Sequence, residues 1–479
     1  YKDEAAAYGL HFSGFSTQAA FLDYDLDGDL DMFLLNHSVN HDGNYAPRAQ
    51  FINSTDSLAG HRLYRNDSRR LPDGQFMPAF TNVTSAAGIN SSRIGYGLGI
   101  AVSDINLDGW PDIYIGNDFH ENDYLYLNQH NGTFSEEATK RIKHTSQFSM
   151  GVDAADINND AWPDIVSMDM LPNDPYMLRR SLSEDAYDIF QHKLAYGYSY
   201  QYARNNLQLN LRNGYFSEIG QYAGMYATDW SWSAMLMDFD NDGWKDLFVS
   251  NGIPKRMNDI DYINFVSGEE LQNKLRNNGI QDKDLALINK FPEIKLPNQF
   301  FRNNGALQFE DMAARVDNNL PTFSNGAAYA DLDNDGDLDI VVNNINDKAL
   351  IYRNNAQKDT VKNSYLSIQL QGPAGNPSAI GAKVLVWQQQ QVHLYEMQPV
   401  HGFLSSMHTP VHVGLGRQQP DSIRVVWPDN TSHRIDWEKG GLQKVTYAKG
   451  LPSFDYNHLQ QYQTAASKVA VQDLTEQSG

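Results

Sequence analysis

Cysteine is absent from the 479 residues of this chain. That excludes a disulfide framework, a thiol nucleophile and any thiolate metal site, so the loops must be held by packing or by oxygen chemistry. Long apolar runs are missing too. Mean hydropathy is −0.54, and no run approaches the roughly 18 residues that a membrane-spanning helix needs. Positive charge is scarce: 37 Lys and Arg stand against 59 Asp and Glu, a net charge of −22, which argues against a nucleic-acid partner. No G-x-S-x-G elbow, phosphate-binding loop, dinucleotide fingerprint or HExxH pair occurs, so a non-catalytic protein is expected. The first residue is Tyr1, with no signal peptide or lipidation cysteine, and targeting information is expected to lie outside this sequence.

What is present is one short acidic loop, five times over: DYDLDGDLD from Asp23, DINLDGWPD from Asp104, DINNDAWPD from Asp156, DFDNDGWKD from Asp238 and DLDNDGDLD from Asp331. Oxygen-bearing side chains fall at positions 1, 3, 5 and 9, and glycine usually takes position 6. Hard oxygens at alternate positions of a tight turn suit Ca2+, which takes six to eight of them at about 2.3 to 2.6 Å. Asp, Asn and Gly also build ordinary turns without metal, but five copies in one context point to a repeat unit. The loops hold about a third of the acids, and five bound Ca2+ would bring the net charge to about −12.

Each loop leads into an apolar strand (DMFLLN, DIYIGN, DIVSMD, DLFVSN, DIVVNN). A second themed strand follows (RLYRN, YLYLN, LQLNL, QFFRN, LIYRN), often with a closing strand such as TFSEEAT, YFSEIG or QFEDMA. Four short strands in roughly 50 residues describe a β-propeller blade, and no helical period separates the strands as a parallel α/β fold would require. The expected fold class is all-β: a calcium-loop β-propeller over residues 1–357, with five blades visible, followed by a small β-sandwich. Three insertions interrupt the blades. Residues 38–61 read as a polar loop and 173–204 as a tyrosine-rich segment. Residues 254–298 read as helical, with a Ser267/Glu270 capping box, Leu271 and Leu275 on one face, Gly279 as a stop and a second short helix from Asp282 that ends before Pro292. Insertions on a repeat scaffold gather on one face, where partners bind. From 363 to 450 the acidic loops vanish and alternating strands (YLSIQL, AKVLVWQ, VHLYEMQ, VHVGLG, SIRVVWP) predict the sandwich. Residues 451–479 read as a linker or the start of a following region.

The loop repeats resemble FG-GAP/VCBS propeller repeats, which are also found in integrin α-subunits. Residues 363–436, with AIGAKVLVW, HGFLSSMH, VHVGLG and RVVWPDN, resemble the ASPIC/UnbV domain that follows such a propeller in relatives of cartilage acidic protein. STQAAFLDYDLDGDLDMFLLNHS, QYARNNLQLN and TDWSWSAMLMDFDNDGWKDLFVSNGI are similar to segments of the large Bacteroidota surface lipoproteins associated with starch-utilisation-type TonB-dependent importers. A seven-bladed ring is usual in that family, so two blades are expected upstream of Tyr1; a five-bladed ring is the alternative.

The resemblance implies side-chain ligands loop by loop: Asp23, Asp25, Asp27 and Asp31; Asp104, Asn106, Asp108 and Asp112; Asp156, Asn158, Asp160 and Asp164; Asp238, Asp240, Asp242 and Asp246; Asp331, Asp333, Asp335 and Asp339. Position 7 (Asp29, Trp110, Trp162, Trp244, Asp337) is implied as a backbone carbonyl donor. Ala161 stands at position 6 of the third loop, and a left-handed residue there costs roughly 1 kcal/mol for its methyl, which predicts a weaker site. The resemblance further implies a lipid-anchored protein on the extracellular face of the bacterial outer membrane. There it would serve a nutrient-uptake complex and meet an importer barrel, its lid lipoprotein and a glycan or peptide. A secreted adhesin or matrix-binding protein and a polysaccharide-active enzyme are the alternatives.

Two aromatic groups have two readings each. Tyr187, Tyr196, Tyr198, Tyr200 and Tyr202, and the pair Trp230 and Trp232, suit either sugar stacking or packing between blades. His37, His41, His120, His401, His408 and His412 show no metal spacing and read as surface or core residues.

Overall fold

A computed structural model of the chain describes residues 2–39, 46–181, 185–268, 273, 291–356, 362–437 and 441–460. The architecture is all-β. Four blades are antiparallel sheets of four strands. Blade 1 has Ser16–Leu22, Asp31–Asn36, Arg62–Asn66 and Phe80–Asn82. Blade 2 has Gly97–Ser103, Asp112–Asn117, Tyr124–Asn128 and Phe134–Glu136; blade 3 has Val152–Ala155, Asp164–Ser167, Asn206–Asn210 and Phe216–Glu218. Blade 4 has Ser231–Met237, Asp246–Asn251, Gln299–Asn303 and Phe309–Asp311. Blade 5 has three strands, Ser324–Ala330, Asp339–Asn344 and Leu350–Tyr352. Every acidic loop joins the first strand of a blade to the second, and its position-9 aspartate opens that second strand.

Blades stack by burying both faces. Phe33, Leu35 and Leu63 of blade 1 pack with Ile100, Ile113 and Tyr124 of blade 2. Tyr114 and Leu125 meet Val152 and Ile165, Val166 and Leu207 meet Leu236 and Val249, and Phe248 and Phe300 meet Ile340 and Val342. The two-sided burial explains why the second strands are near-continuous apolar runs rather than alternating ones. The run of blades stops at blade 5. Ile351 is 68% exposed, whereas Leu63 and Leu125, which hold the same place in blades 1 and 2, are fully buried.

A polar tie repeats beside the packing. The asparagine that ends each third strand, or in blade 5 lies two residues past it, donates its main-chain N–H to the position-9 aspartate of its own blade: Asn66 to Asp31, Asn128 to Asp112, Asn210 to Asp164, Asn303 to Asp246 and Asn354 to Asp339, all at 2.7 to 2.8 Å. Its side-chain amide then reaches the preceding blade. Asn128 donates to the Tyr24 carbonyl, Asn210 to Ile105, Asn303 to Ile157 and Asn354 to Phe239, at 2.7 to 3.0 Å.

The sandwich is two sheets. One comprises Ser364–Gln371, Val411–Gly416 and Leu442–Thr446. The other comprises Lys383–Gln388, Gln391–Glu396, Ser422–Val426 and Ser432–Ile435. Leu366, Ile368, Val384, Val413, Val425 and Trp427 fill the space between them. Residues 451–460 pack against this unit, with Leu459 buried beside Leu385, Val392 and Val426. A hairpin, Val400–His401 and Ser405–Ser406, leaves the sandwich and enters among the first strands of the blades. Gly402 and Val152 exchange main-chain hydrogen bonds (3.0 and 3.3 Å). Gln18 donates to the Ser405 carbonyl at 2.9 Å, Ala327 to the Ser405 hydroxyl at 3.1 Å and Phe403 to the Ser233 hydroxyl at 3.3 Å. Gly402 has φ +63°, and a Cβ there would fall 2.0 Å from Ser233 Oγ, so no other residue fits.

All three insertions join second to third strands, at the blade end opposite the acidic loops. Residues 48–50 form a 3-10 turn in the first; the second contains helices Pro175–Arg180 and Tyr187–Ala195. In the third, a helix runs over Ile260–Val266 and Asn273 is helical; Glu270, Leu271, Leu275, Gly279 and the segment from Asp282, on which the capping-box helix is expected, lie outside the described residues. The insertions touch one another: Arg48 donates its main-chain N–H to Tyr196, the Tyr198 hydroxyl to Ala46, and Arg180 bridges Asp259 and Asp261 at 3.0 and 2.9 Å.

Replacing Asn210 by Ala removes the tie to blade 2 and leaves buried carbonyls of Ile105 and Pro163 without a donor, at a cost of about 1 to 3 kcal/mol. Asn66→Ala, whose amide among the described residues donates to the Leu30 carbonyl of its own blade, is expected to cost less. Denaturant midpoints of the two variants check the order; equal losses would show that the inter-blade bond contributes nothing.

Candidate metal centres

The five loops share one backbone solution. The position-6 N–H donates to Oδ2 of position 1: Gly28 to Asp23, Gly109 to Asp104, Ala161 to Asp156, Gly243 to Asp238 and Gly336 to Asp331, at 2.8 to 3.1 Å. The position-2 N–H donates to Oδ2 of position 9, as Tyr24 does to Asp31 and Ile105 to Asp112 (both 3.1 Å). Position 6 is left-handed throughout, with φ of +90° to +96° at the four glycines and +70° at Ala161. Position 4 is left-handed as well, at Leu26, Leu107, Asn159, Asn241 and Asn334. Strain at Ala161 has a counterweight: its methyl is 1% exposed and packs with Leu385, Val392 and Leu394 of the sandwich. Burial of one methyl is worth about 0.8 kcal/mol, close to the roughly 1 kcal/mol that the left-handed residue costs. The weakening expected of this loop is therefore largely offset.

Carboxylates converge. One oxygen from each of Asp23, Asp25 and Asp27 lies within 4.8 Å of the others, and the same holds for Asp238, Asp240 and Asp246 and for Asp331, Asp333 and Asp335. Loops 2 and 3 carry amides at position 3, where Asn106 Nδ2 donates to Asp108 (2.8 Å) and Asn158 Nδ2 to Asp160 (3.1 Å). Buried oxygens of Asp23, Asp25, Asp29, Asn158 and Asp240 have no hydrogen-bond partner. Such orphans are costly unless a cation takes them. Burial, with Asp27 next to it, pushes the Asp23 carboxyl up to about 7; burial pushes Asp31 up to about 8, and burial with Asp27 and Asp25 pushes Asp29 up to about 6. Asp112, Asp164, Asp238 and Asp246 are raised well above the usual carboxylate range, again by burial first and neighbouring aspartates second. The donor set, all oxygen and crowded with negative charge, fits a hard divalent cation with flexible coordination.

Cations of the protein sit at the loop edges. Arg302 bridges Asp240 and Asp242 (both 2.8 Å), Arg353 meets Asp333, Arg212 lies 3.5 Å from Asp160, and His130 Nε2 lies 2.9 Å from Asp108 while stacking on Trp110. Sequence reasoning passed over these residues and the asparagine ties, although both recur at fixed places in or after the RN-type strand ends. Trp230 is buried, and Trp232 donates to the Gly252 carbonyl (2.7 Å) and packs on Phe403, so both serve packing. The tyrosines divide: Tyr198 is buried, while Tyr187 and Tyr200 are exposed. Only Gln201–Tyr202 is strand among those positions. None of the described histidines joins a group of converging carboxylates. His401 pairs with Asp153 at 2.8 Å and His412 with Asn241, while His41 lies outside the described residues.

The sequence matches known families over the same regions. Residues 104–167 and 194–249 match the FG-GAP-like repeat, and residues 372–446 match ASPIC and UnbV. Cartilage acidic protein 1 of Mus musculus is 25% identical over 356 residues, 73% of this chain and 44% of that protein. Its Xenopus tropicalis counterpart is 24% identical over 391 residues, 81% of this chain and 50% of that one. The chain thus spans about half the length of these relatives. Among solved structures, the V. cholerae biofilm matrix protein Bap1 aligns with a TM-score of 0.32 at 10% identity, over 90% of this chain and 60% of that one. The chain carries FG-GAP repeats and an ASPIC/UnbV domain.

In excess chelator, the raised carboxyls set the sign of the pH response. A carboxyl whose folded pKa exceeds its unfolded value of 3.8 favours folding while protonated, and that contribution is lost as pH rises from about 4 toward 8. The metal-free melting temperature is expected to fall across this window; a rise or a flat profile by scanning calorimetry would contradict it. Ala161→Gly is expected to change stability by no more than about 0.5 kcal/mol, since strain relief and lost burial cancel.

Proposed function

We propose that this chain is a calcium-stapled, non-catalytic binding protein that works outside the cell, with its loop face serving stability and its insertion face serving recognition. The observation that carries this reading is the division of the two blade ends. The acidic loops all open toward one end, under the sandwich, where their carboxylates accept from the loop's own turns and converge so that a cation could join them. The other end carries the three linked insertions, and Tyr176, Tyr187, Tyr200, Leu178 and Met257 are exposed there. Ca2+ would neutralise the buried aspartates and supply the missing partners of the orphan oxygens; this chain's own residues then hold the loops in register with the blades. Calcium at the millimolar level outside cells fills even weak sites of this kind, and a chain without cysteine gains from it what disulfides give other extracellular proteins.

The proposed partner of the insertion face is an outer-membrane nutrient importer, its barrel and lid lipoprotein, with a glycan or peptide as cargo and a lipid anchor holding the full-length protein at the surface. A matrix-binding role is the second reading, favoured by the similarity to cartilage acidic protein 1.

Chelation is expected to lower the melting temperature, because each site held at a hundred times its Kd contributes about 2.7 kcal/mol to the folded state; an unchanged melting curve would remove the structural role of calcium. Tagged chain recovered from its native membranes in calcium should bring down the importer barrel. Tyr176→Ser, Tyr187→Ser and Tyr200→Ser together should abolish that recovery without lowering the melting temperature. Undiminished recovery would take recognition away from these tyrosines, and capture of matrix polysaccharide without a barrel would favour the second reading.

A further inference from the structure

The strand Gln391–Glu396 of the sandwich lies across three acidic loops at once. The Val392 N–H donates to the Asn159 carbonyl (3.4 Å), and Val392 forms a parallel bridge with Asp160. The Leu394 N–H donates to Asp156 Oδ2 at 3.1 Å. His393 Nδ1 donates to the Gly243 carbonyl at 3.2 Å in the fourth loop. Glu396 closes on the second loop, where its carboxylate accepts from the Asp104 N–H (3.2 Å) and the Ser103 hydroxyl. Directly across the hairpin from Glu396 stands Lys383. Its Nζ, in a side chain that is almost fully buried, lies 3.1 Å from Asp104 Oδ2. Tyr456 lies 3.3 Å from the same Nζ and donates to Asn430, whose amide donates to the Gly109 carbonyl at 2.9 Å.

These contacts fall on the parts of the loop that decide whether a cation binds. Asp104 has two oxygens with separate partners: Oδ1 accepts from the Asp108 N–H (2.9 Å), and Oδ2 accepts from Gly109 (2.8 Å). A second donor on Oδ2, supplied by Lys383, fixes the carboxylate rotamer so that Oδ1 stays on the Asp108 N–H side of the loop. Glu396 does the same for the main chain by holding the Asp104 amide. Asp156 receives the equivalent second donor from the Leu394 amide. Ligands whose orientation is set by such outer contacts lose affinity when those contacts go.

Resting on the calcium reading above, we infer that Lys383 and Glu396 of the sandwich are positioning residues for the cation of the second loop, and that cation binding and docking of the sandwich onto the blades form one coupled equilibrium. Coupling is reciprocal: if the docked sandwich raises affinity for the cation, the cation holds the sandwich down by the same factor.

Charge alone is separable from positioning. Removing Lys383 takes a positive charge from beside the cation and removing Glu396 takes a negative one, so Lys383→Met combined with Glu396→Gln leaves the net charge unchanged. Terbium replaces calcium at oxygen sites and luminesces when a nearby tryptophan is excited. Tryptophan stands at position 7 in loops 2, 3 and 4, and the signal lost in Trp110→Phe is that of loop 2. In the full chain, the double variant is expected to weaken the Trp110-sensitised terbium affinity by about 10- to 100-fold, with the Trp162 and Trp244 signals less affected. In the unmodified protein, chelation should accelerate amide exchange across 391–396 and 400–406. Unchanged Trp110-sensitised affinity in a folded double variant overturns the inference. If the variant does not fold, equal exchange of 391–396 with calcium and with chelator overturns it. Absence of any terbium or calcium response in the unmodified protein instead defeats the calcium reading itself, and the inference with it.

Discussion

One aspartate per blade carries the structure: position 9 of the loop, Asp31, Asp112, Asp164, Asp246 or Asp339. Its two oxygens accept from the main chain at the loop's second residue and at the asparagine that ends the third strand. That asparagine in turn holds the blade before it. Four of these carboxylates are almost fully buried and the fifth, Asp339, is 2% exposed, where an ion without a counter-charge is expensive. At Asp31, Asp112, Asp164 and Asp246 burial pushes the carboxyl above its usual range, and a cation beside it would favour the charged form. A cation at the loop would resolve the conflict, and the propeller's stability and its proposed metal chemistry would then be one problem.

Much of this was legible beforehand. A nine-residue acidic word repeated five times placed all five first-to-second strand turns, and the apolar runs behind it placed the second strands. The third strands emerged within a residue or two, because period and theme agreed. The asparagine at or next to the end of each theme (Asn66, Asn128, Asn210, Asn303, Asn354) was visible as a recurrence. Its purpose was not, since one of its bonds crosses between blades and local pattern carries no information about which blade lies alongside. The left-handed fourth position escaped notice for a related reason: Leu26 and Leu107 tolerate it through the loop's hydrogen bonds, not through their own preference.

The sandwich posed a different limit. Alternation identified its strands, but nothing in HGFLSSMH announces a hairpin that threads among the blades, and nothing in VHLYEMQ announces a strand laid over three loops. Both follow from long-range docking. Ala161 is the clearest instance: alone it reads as a strained substitution, and only the apposed Val392 and Leu394 show what its methyl does. In the third insertion the helix at Ile260–Val266 lies within the segment read as helical, while the capping signal at Glu270 and the helix expected behind it lie outside the described residues.

The central claim is that these five loops are cation sites on which the fold depends. Calcium bound per chain at millimolar free calcium, measured by equilibrium dialysis with elemental analysis of the retained protein, tests it most directly. Five per chain is the expected value, falling to four when Asp31 alone is replaced by Asn. A protein that retains no calcium above the dialysate would contradict the account.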